Sequence, residues 1–295
     1  MAPRFPIYHG KVRDVVDAGD RLVMVTTDRI SAFDRPLGSI DGKGEVLNQL
    51  ALYWFEETAD IVENHIIESL GPRSVAVNKA EMVPVEVVVR GYLTGSAWKA
   101  YASGSSVPGL DLLPGMRAHQ KLAAPRITPT TKAAVGDHDE PIDRDGILAR
   151  KLCPPELWAK IEKTALALFA RGTELLAERG LVLVDTKYEF GLYEGRLILC
   201  DEVHTPDCSR FWFADDYDAA LAEGREPRKL DKEYLRSWLM SQGFTGSGSV
   251  PTIPPEVFSE TRSRYVEAFE RITGRAFEFS GVSAEAETRR ILSSL

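Results

Sequence analysis

Leu181-Val-Leu-Val-Asp-Thr-Lys-Tyr-Glu-Phe-Gly-Leu192, the link Tyr193-Glu194-Gly195-Arg196, and Leu197-Ile-Leu-Cys-Asp-Glu-Val-His-Thr-Pro-Asp-Cys-Ser-Arg210 are two apolar, β-prone runs around a turn, the pattern of a β-hairpin. Alternation places Asp185, Lys187 and Glu189 on one face of the first strand. Polar side chains at strand spacing, after a fully apolar start, imply something that receives them. With a two-residue loop (Glu194-Gly195), Glu189 and Asp201 fall on opposite faces; with three residues they oppose each other on one face. Carboxylates about 5 Å apart repel unless a cation lies between them. A hard cation such as Mg²⁺ takes one or two carboxylates plus phosphate oxygens and water. We therefore expect an odd-length loop at 194–196 and a metal held by Glu189 and Asp201, with Lys187 and Arg210 as the anion-binding half of the same site. The competing reading is a solvated hairpin edge with ordinary charges.

Working outward, 295 residues suffice for two lobes with a helical addition. A composition of 44% apolar and 27% charged residues is that of an ordinary globular protein. The net charge of −8, with no basic block to offset it, argues against a nucleic-acid partner. Neither a membrane span nor a signal-peptide pattern is visible. Cys153, Cys200 and Cys208 are odd in number and lack metal spacing, so a reduced, cytoplasmic setting is expected. No obligatory protein partner is implied.

Residues 6–40 read as short strands and turns, and 45–61 as a helix with Leu47, Leu50, Trp54 and Ile61 on or near one face. Strands are expected at Val75–Val77 and Val83–Arg90, with a lobe boundary near Pro84–Glu86. The expected division is a β-rich nucleotide-binding lobe (1–84), a central α/β lobe with the metal and substrate site (85–225) and a C-terminal helical segment (226–295). Ser103–Asp143 shows little periodicity and many Gly and Pro, which marks a functional connection rather than a packed element. A long helix runs from Pro154-Pro155 to Arg179, stopped by Gly180; further helices are expected at 215–223, 231–241 and 255–273.

Several clusters carry chemistry. Gly10-Lys11-Val12-Arg13-Asp14 joins backbone freedom to two cations, as a lid over nucleotide phosphates would. Val87-Val88-Val89-Arg90 runs into Gly91-Tyr92-Leu93-Thr94-Gly95-Ser96, which offers a guanidinium fork and a hydroxyl to a phosphate. Asp28 to Asp34 and Gly42-Lys43-Gly44 cluster polar groups at strand ends. Two lookalikes fail. Ser96-Ala97-Trp98-Lys99 lacks the companion elements of acyl-enzyme hydrolases. Asp201-Glu202-Val203-His204 resembles a helicase box, but no P-loop accompanies it.

Together these segments resemble the SAICAR synthetase (phosphoribosylaminoimidazole-succinocarboxamide synthase) family. The matching pieces are Gly10 to Asp14, Asp28 to Asp34, Gly42 to Gly44, Pro84 to Ser96, Thr128 to Glu140, Asp185 to Gly191 and Asp201 to Arg210, in the family's order. Leu230 to Arg236 and Tyr265 to Gly274 look like the longer form of the family. The resemblance implies an α+β, two-lobed ATP-grasp-like architecture with additional C-terminal helices. It also implies a ligase that joins CAIR and L-aspartate at the expense of ATP, with Mg²⁺, giving SAICAR, ADP and phosphate through an acyl phosphate.

On that basis Gly10, Lys11, Val12 and Arg13 would hold ATP phosphates, with Lys79 and Glu86 near the nucleotide at an inter-lobe hinge. Glu189 and Asp201 would bind the metal. Arg90, Ser96 and Arg210 match positions that bind the CAIR phosphate, and Asp185 and Lys187 match contacts to its ribose and imidazole carboxylate. Lys132, His138 and Asp139 would capture aspartate, with Ser31, Asp34 and Lys43 nearby. Lys187, Glu189, Asp201, Lys132 and His138 are the implied catalytic set. Two departures stand out: Cys208 where the family has a small Ser or Gly, and Arg126-Ile127 before Thr128. A small-molecule kinase and a nucleotide-binding regulator without turnover are the competing functions.

Overall fold

Leu181 to Tyr193 is one continuous strand, and the rest of the chain is arranged around it. The computed structural model describes residues 5–132 and 140–295. The chain opens with β1 (Ile7–His9), β2 (Arg13–Asp17), β3 (Arg21–Thr26), β4 (Arg29–Ala32) and β5 (Arg35–Ser39), followed by helix α1 (Lys43–Glu57). Next come β6 (Ile66–Gly71), β7 (Ser74–Asn78), β8 (Glu81–Tyr92), α2 (Gly95–Ala102), β9 (Lys121–Ile127) and β10 (Thr130–Thr131). α3 (Arg144–Ala149) leads into α4 (Pro155–Glu178), then β11 (Leu181–Tyr193), β12 (Arg196–Cys200) and β13 (Ser209–Phe213). α5 (Ala214–Glu223), α6 (Glu233–Ser241), α7 (Pro255–Thr273) and α8 (Ala284–Ser294) complete the described chain.

The architecture is mixed α/β. One antiparallel sheet has the order β1-β2-β3-β7-β6; a second is built on β10-β8-β11-β12, with β13 pairing β11 and β9 pairing β8. β4 and β5 form a separate ribbon. The main core lies where α4 covers β8 and β11. Trp158, Ile161, Ala165 and Leu168 from α4, fully buried at helical spacing, share this core with Val87, Val89 and Leu183 from the sheet. A smaller core joins Val16, Val23 and Val25 of the first sheet to Ala284 and Ile291 of α8.

The hairpin differs from its expected geometry. Tyr193 pairs Arg196 and Glu189 pairs Cys200, so the loop is the two residues Glu194 and Gly195. Both have positive φ, 51° and 73°, as a type I′ turn requires. The three-residue loop is thus corrected, and Glu189 does not stand opposite Asp201. The strand ends at Cys200, and Asp201 takes a left-handed φ of 66° that turns the chain. Asp201 has already left the ladder, so strand alternation does not reach it.

The crossing from the first sheet into the second falls between Asn78 and Glu81. Pro84 lies inside β8, at the register shift where Glu86 pairs Glu189 but Met82 pairs Gly191; a residue without an N–H is tolerated at such an irregularity. The aperiodic stretch expected at 103–143 contains β9 and β10, whose strand pattern was hidden by exposure of most of β9.

Candidate functional site

β11 presents alternate side chains to two environments. Thr186 accepts from Ser209 Oγ at 2.7 Å, and the Tyr188 hydroxyl meets His204 Nε2 at 2.5 Å, both in the interior. On the other face, Asp185, Lys187 and Glu189 line up as alternation predicts. They join two structures, an anion-sized cavity and a cluster of opposed charges.

The cavity has a volume of about 240 Å³, and its wall includes Arg90, Ser96, Asp185, Lys187, Asp207 and Arg210. Arg90, at the end of β8, donates to Thr128 Oγ1 at 2.8 Å, to Asp185 at 3.0 Å and to Ser96 Oγ at 3.2 Å. Arg210 on β13 donates to Asp185 at 2.6 Å and to Glu233 at 3.3 Å. Asp185 therefore spaces two guanidinium groups across one opening. Each fork is held by its partners, which pre-sets it for a planar or tetrahedral anion. Burial works against the Arg210 charge, but Asp185 and Glu233 outweigh it and keep the group firmly cationic.

In the charge cluster, Lys187 Nζ lies 2.5 Å from Glu189 Oε1, 3.2 Å from Glu86 Oε1 and 3.6 Å from Asp201 Oδ2. Lys132 Nζ takes the other Glu189 oxygen at 2.5 Å. Arg13 hydrogen-bonds Asp201 and reaches Glu202 at 3.4 Å. Burial opposes the Glu189 charge, yet Lys187 and Lys132 hold this carboxyl well below its ordinary range. Asp201 goes the other way: burial, with repulsion from Glu189 and Glu202, pushes it up to about 6 despite Arg13. Each carboxyl thus has two cations beside it, Lys187 and Lys132 at Glu189 and Arg13 and Lys187 at Asp201. A donor set of one buried carboxylate, Glu189, and one half-buried, Asp201, oxygen only, suits a hard divalent cation completed by phosphate and water.

Other sequence-predicted residues spread over a wider area. Gly10 to Arg13 form a tight turn, with Gly10 N–H donating to Arg13 O at 2.8 Å and Thr27 N–H to Val12 O at 2.9 Å. Lys11 reaches Asp34 at 2.6 Å, so a residue assigned to ATP and one assigned to aspartate meet. Glu86 sits in the charge cluster, 3.2 Å from Lys187 Nζ. Lys79 stands beside Asp17, at 2.9 Å, at the end of the first sheet remote from Arg13. Ser31 is half-buried on β4. Lys43 is fully buried against Asp207, at 2.8 Å, and does not line the cavity; its sequence position near a loop gave no sign of this burial. His138 and Asp139 lie outside the described residues.

Sequence reasoning gave no role to Thr128, Glu202, Asp207, Lys232, Glu233 or Arg236. Asp207 and the last three line the cavity. Thr128 opens the Thr128–Glu140 segment, Glu202 and Asp207 fall in the Asp201–Arg210 motif, and Lys232, Glu233 and Arg236 in Leu230–Arg236, so the signal lay in segments already quoted. Asp231 ties α6 to β13 by accepting the N–H groups of Phe211 and Glu233 at 2.8 and 2.6 Å. The N-terminus of α6 thereby reaches the cavity.

A sequence model of SAICAR synthetase matches residues 6–251. A phosphoribosylaminoimidazole-succinocarboxamide synthase of Bacteroides fragilis is 48% identical over 286 residues, 95% of this chain and 91% of the relative. Among solved structures, the SAICAR synthase of Saccharomyces cerevisiae complexed with SAICAR superposes with a TM-score of 0.79 at 34% identity, covering 93% of this chain and 96% of that one. A SAICAR synthetase in complex with ADP gives a TM-score of 0.72 at 28% identity, covering 93% and 100%.

Proposed function

The chain belongs to the SAICAR synthetase family, and from that premise we propose that it is an ATP-dependent ligase joining CAIR and L-aspartate in purine biosynthesis. One structural feature supports the reading above the others. A single strand face, Asp185-Lys187-Glu189, runs from an anion cavity into a cluster of carboxylates and cations. A substrate with a phosphate at one end and a carboxylate at the other spans such a face.

A carboxylate is a poor electrophile, so its oxygen must first become a leaving group. In the proposed sequence a CAIR carboxylate oxygen attacks the γ-phosphorus of ATP, the bond to the β–γ bridging oxygen breaks, and ADP departs. The acyl phosphate is then attacked by the deprotonated aspartate amine, and inorganic phosphate leaves with the activated oxygen. The protein's contribution is alignment and charge neutralisation. Arg90, Ser96 and Arg210 would hold the CAIR phosphate. Lys187 would lie against the carboxylate that is activated, and Arg13 and Lys11 would face the nucleotide. Glu189 and Asp201 would hold Mg²⁺, which when bound supplies neutralisation of phosphate oxygens. Lys132, in contact with Glu189, would meet aspartate.

The two-lobed, ATP-grasp-like description belongs to the same proposal, with the nucleotide between the first sheet and the charge cluster. Cys153, Cys200 and Cys208 are free thiols, in keeping with a cytoplasmic setting. The test is ADP release from CAIR and Mg·ATP with and without aspartate. Aspartate-dependent ADP release with SAICAR as product is expected. ADP release at full rate without aspartate would replace the ligase with a kinase.

A further inference from the structure

Gly42-Lys43-Gly44 opens α1 beneath a clasp from the C-terminal segment. Gly42 has φ 78°, and a Cβ there would lie 2.1 Å from a ring carbon of Phe279. The Arg262 guanidinium sits 4.1 Å from the Phe279 ring centroid, and its Nε donates to Asp41 O at 2.8 Å. Three residues along, Glu45 is 1% exposed, and its carboxylate accepts the Ser280 N–H at 3.1 Å and the Ser280 hydroxyl. A buried carboxylate requires donors of this kind. Beyond the clasp, α8 is anchored on the first sheet, where Glu287 accepts from Ser74 Oγ at 2.5 Å.

The other product of this turn is Lys43. Its side chain is 0% exposed, and its ammonium meets Asp207 Oδ2 at 2.8 Å. Tyr265 of α7 donates to the other oxygen of Asp207, and Lys232 lies 3.5 Å from it. Asp207 faces the cavity. A bare carboxylate there would repel any phosphate or carboxylate ligand; the Lys43 charge offsets it from behind.

We infer that Phe279 and Ser280 are positioning residues for the substrate cavity: by seating the first turn of α1 they hold Lys43 on Asp207, so that the wall facing an anionic ligand carries a neutralised carboxylate. The inference rests on the ligase reading for the identity of that ligand. Both residues lie beyond the stretch matched by the family model, which ends at residue 251.

The experiment compares wild type, Ser280→Ala, Lys43→Met and the double variant, by turnover and by calorimetric binding of inorganic phosphate. Ser280→Ala is expected to raise KM for CAIR about five- to tenfold, the size of one typical lost hydrogen bond, while kcat and KM for ATP stay within about twofold. Phosphate affinity falls in the same variants, and Ser280→Ala adds nothing once Lys43 is gone. Where Lys43→Met does not fold, Asp207→Asn takes its place in the cycle, since it removes the charge that Lys43 offsets. Phosphate binding reads the cavity independently of chemistry, so a failed ligase reading appears as absent turnover with the binding cycle intact. Additive losses of phosphate affinity, an unchanged affinity in Ser280→Ala, or equal rises in both KM values would overturn the inference.

Discussion

Lys187 and Glu189 stand two residues apart on the same face of β11, with Nζ 2.5 Å from Oε1. Glu86 and Asp201 share that ammonium at 3.2 and 3.6 Å. Burial opposes the Lys187 charge, but the surrounding carboxylates outweigh it and raise the group well above its usual range. In this arrangement Lys187 is a cation. Lys187→Met should leave an excess of negative charge where anionic substrates meet, and lower kcat by about 10²–10³. Lys187→Arg should recover little, because a planar fork cannot replace a point charge on three carboxylates. Steady-state kinetics decide the matter; a Lys187→Met rate near that of wild type would make the residue a structural counter-ion only.

The metal assignment makes a separate demand. Glu189→Gln keeps volume and removes charge from one half of the donor pair; Asp201→Asn does the same for the other. Each should shift the Mg²⁺ concentration for half-maximal turnover upward by at least about tenfold, as loss of a charged oxygen ligand implies. Titration of activity against Mg²⁺ at saturating ATP measures this. A pair of variants with reduced rate but unaltered Mg²⁺ dependence would reassign both carboxylates to holding Lys187 and Arg13.

Arg210 and Arg90 divide Asp185 between them, and the cavity opens where the two forks converge. Arg210→Ala should raise KM for CAIR by about 10–10² while leaving KM for ATP close to wild type, since one bidentate anion contact is lost. Equal changes in both constants would show that the variant disturbs the sheet rather than the ligand. Thermal unfolding is the control, because Asp185 loses one of its two cations in the same change.

Much of this was legible before any coordinates. Helix α7 begins at Pro255 and ends at Thr273 as expected, because Pro suits a first turn and Gly274, at φ 71°, ends the last one. The face of β11 was legible from alternation alone. The way Asp201 joins that face was not, since a left-handed aspartate at a strand end leaves no trace in a hydrophobic pattern. Nor was β9, whose Lys121-Leu-Ala-Ala-Pro-Arg-Ile127 is mostly exposed and interrupted by proline. α8 was missed because its sequence is largely polar and only Ala284, Glu287 and Ile291 are buried. The burial of Lys43 depends on residues more than 160 positions away, which no local reading supplies.

His204 supplies a test of how the Asp201–Arg210 turn is held. Its ring is fully buried, edge-on to Trp54 at 4.6 Å between centroids, with Nε2 2.5 Å from the Tyr188 hydroxyl. Gly172 of α4 makes room for it: a Cβ there would lie 2.4 Å from the His204 ring. Burial lowers the His204 pKa from 6.5 to about 3, so the folded protein keeps a neutral imidazole. The unfolded chain binds this proton in the window between those two values and the folded chain does not. Stability contributed by His204 is thus fully present above pH 6.5 and is lost as pH falls through the window. Relative to His204→Asn, which cannot titrate, wild type should lose about 2 kcal/mol of unfolding free energy between pH 7 and pH 5. Urea unfolding of both proteins at the two pH values measures the difference. A constant difference would mean that the ring takes up its proton without leaving the fold, and that the turn carrying Asp207 and Arg210 is held by its other contacts.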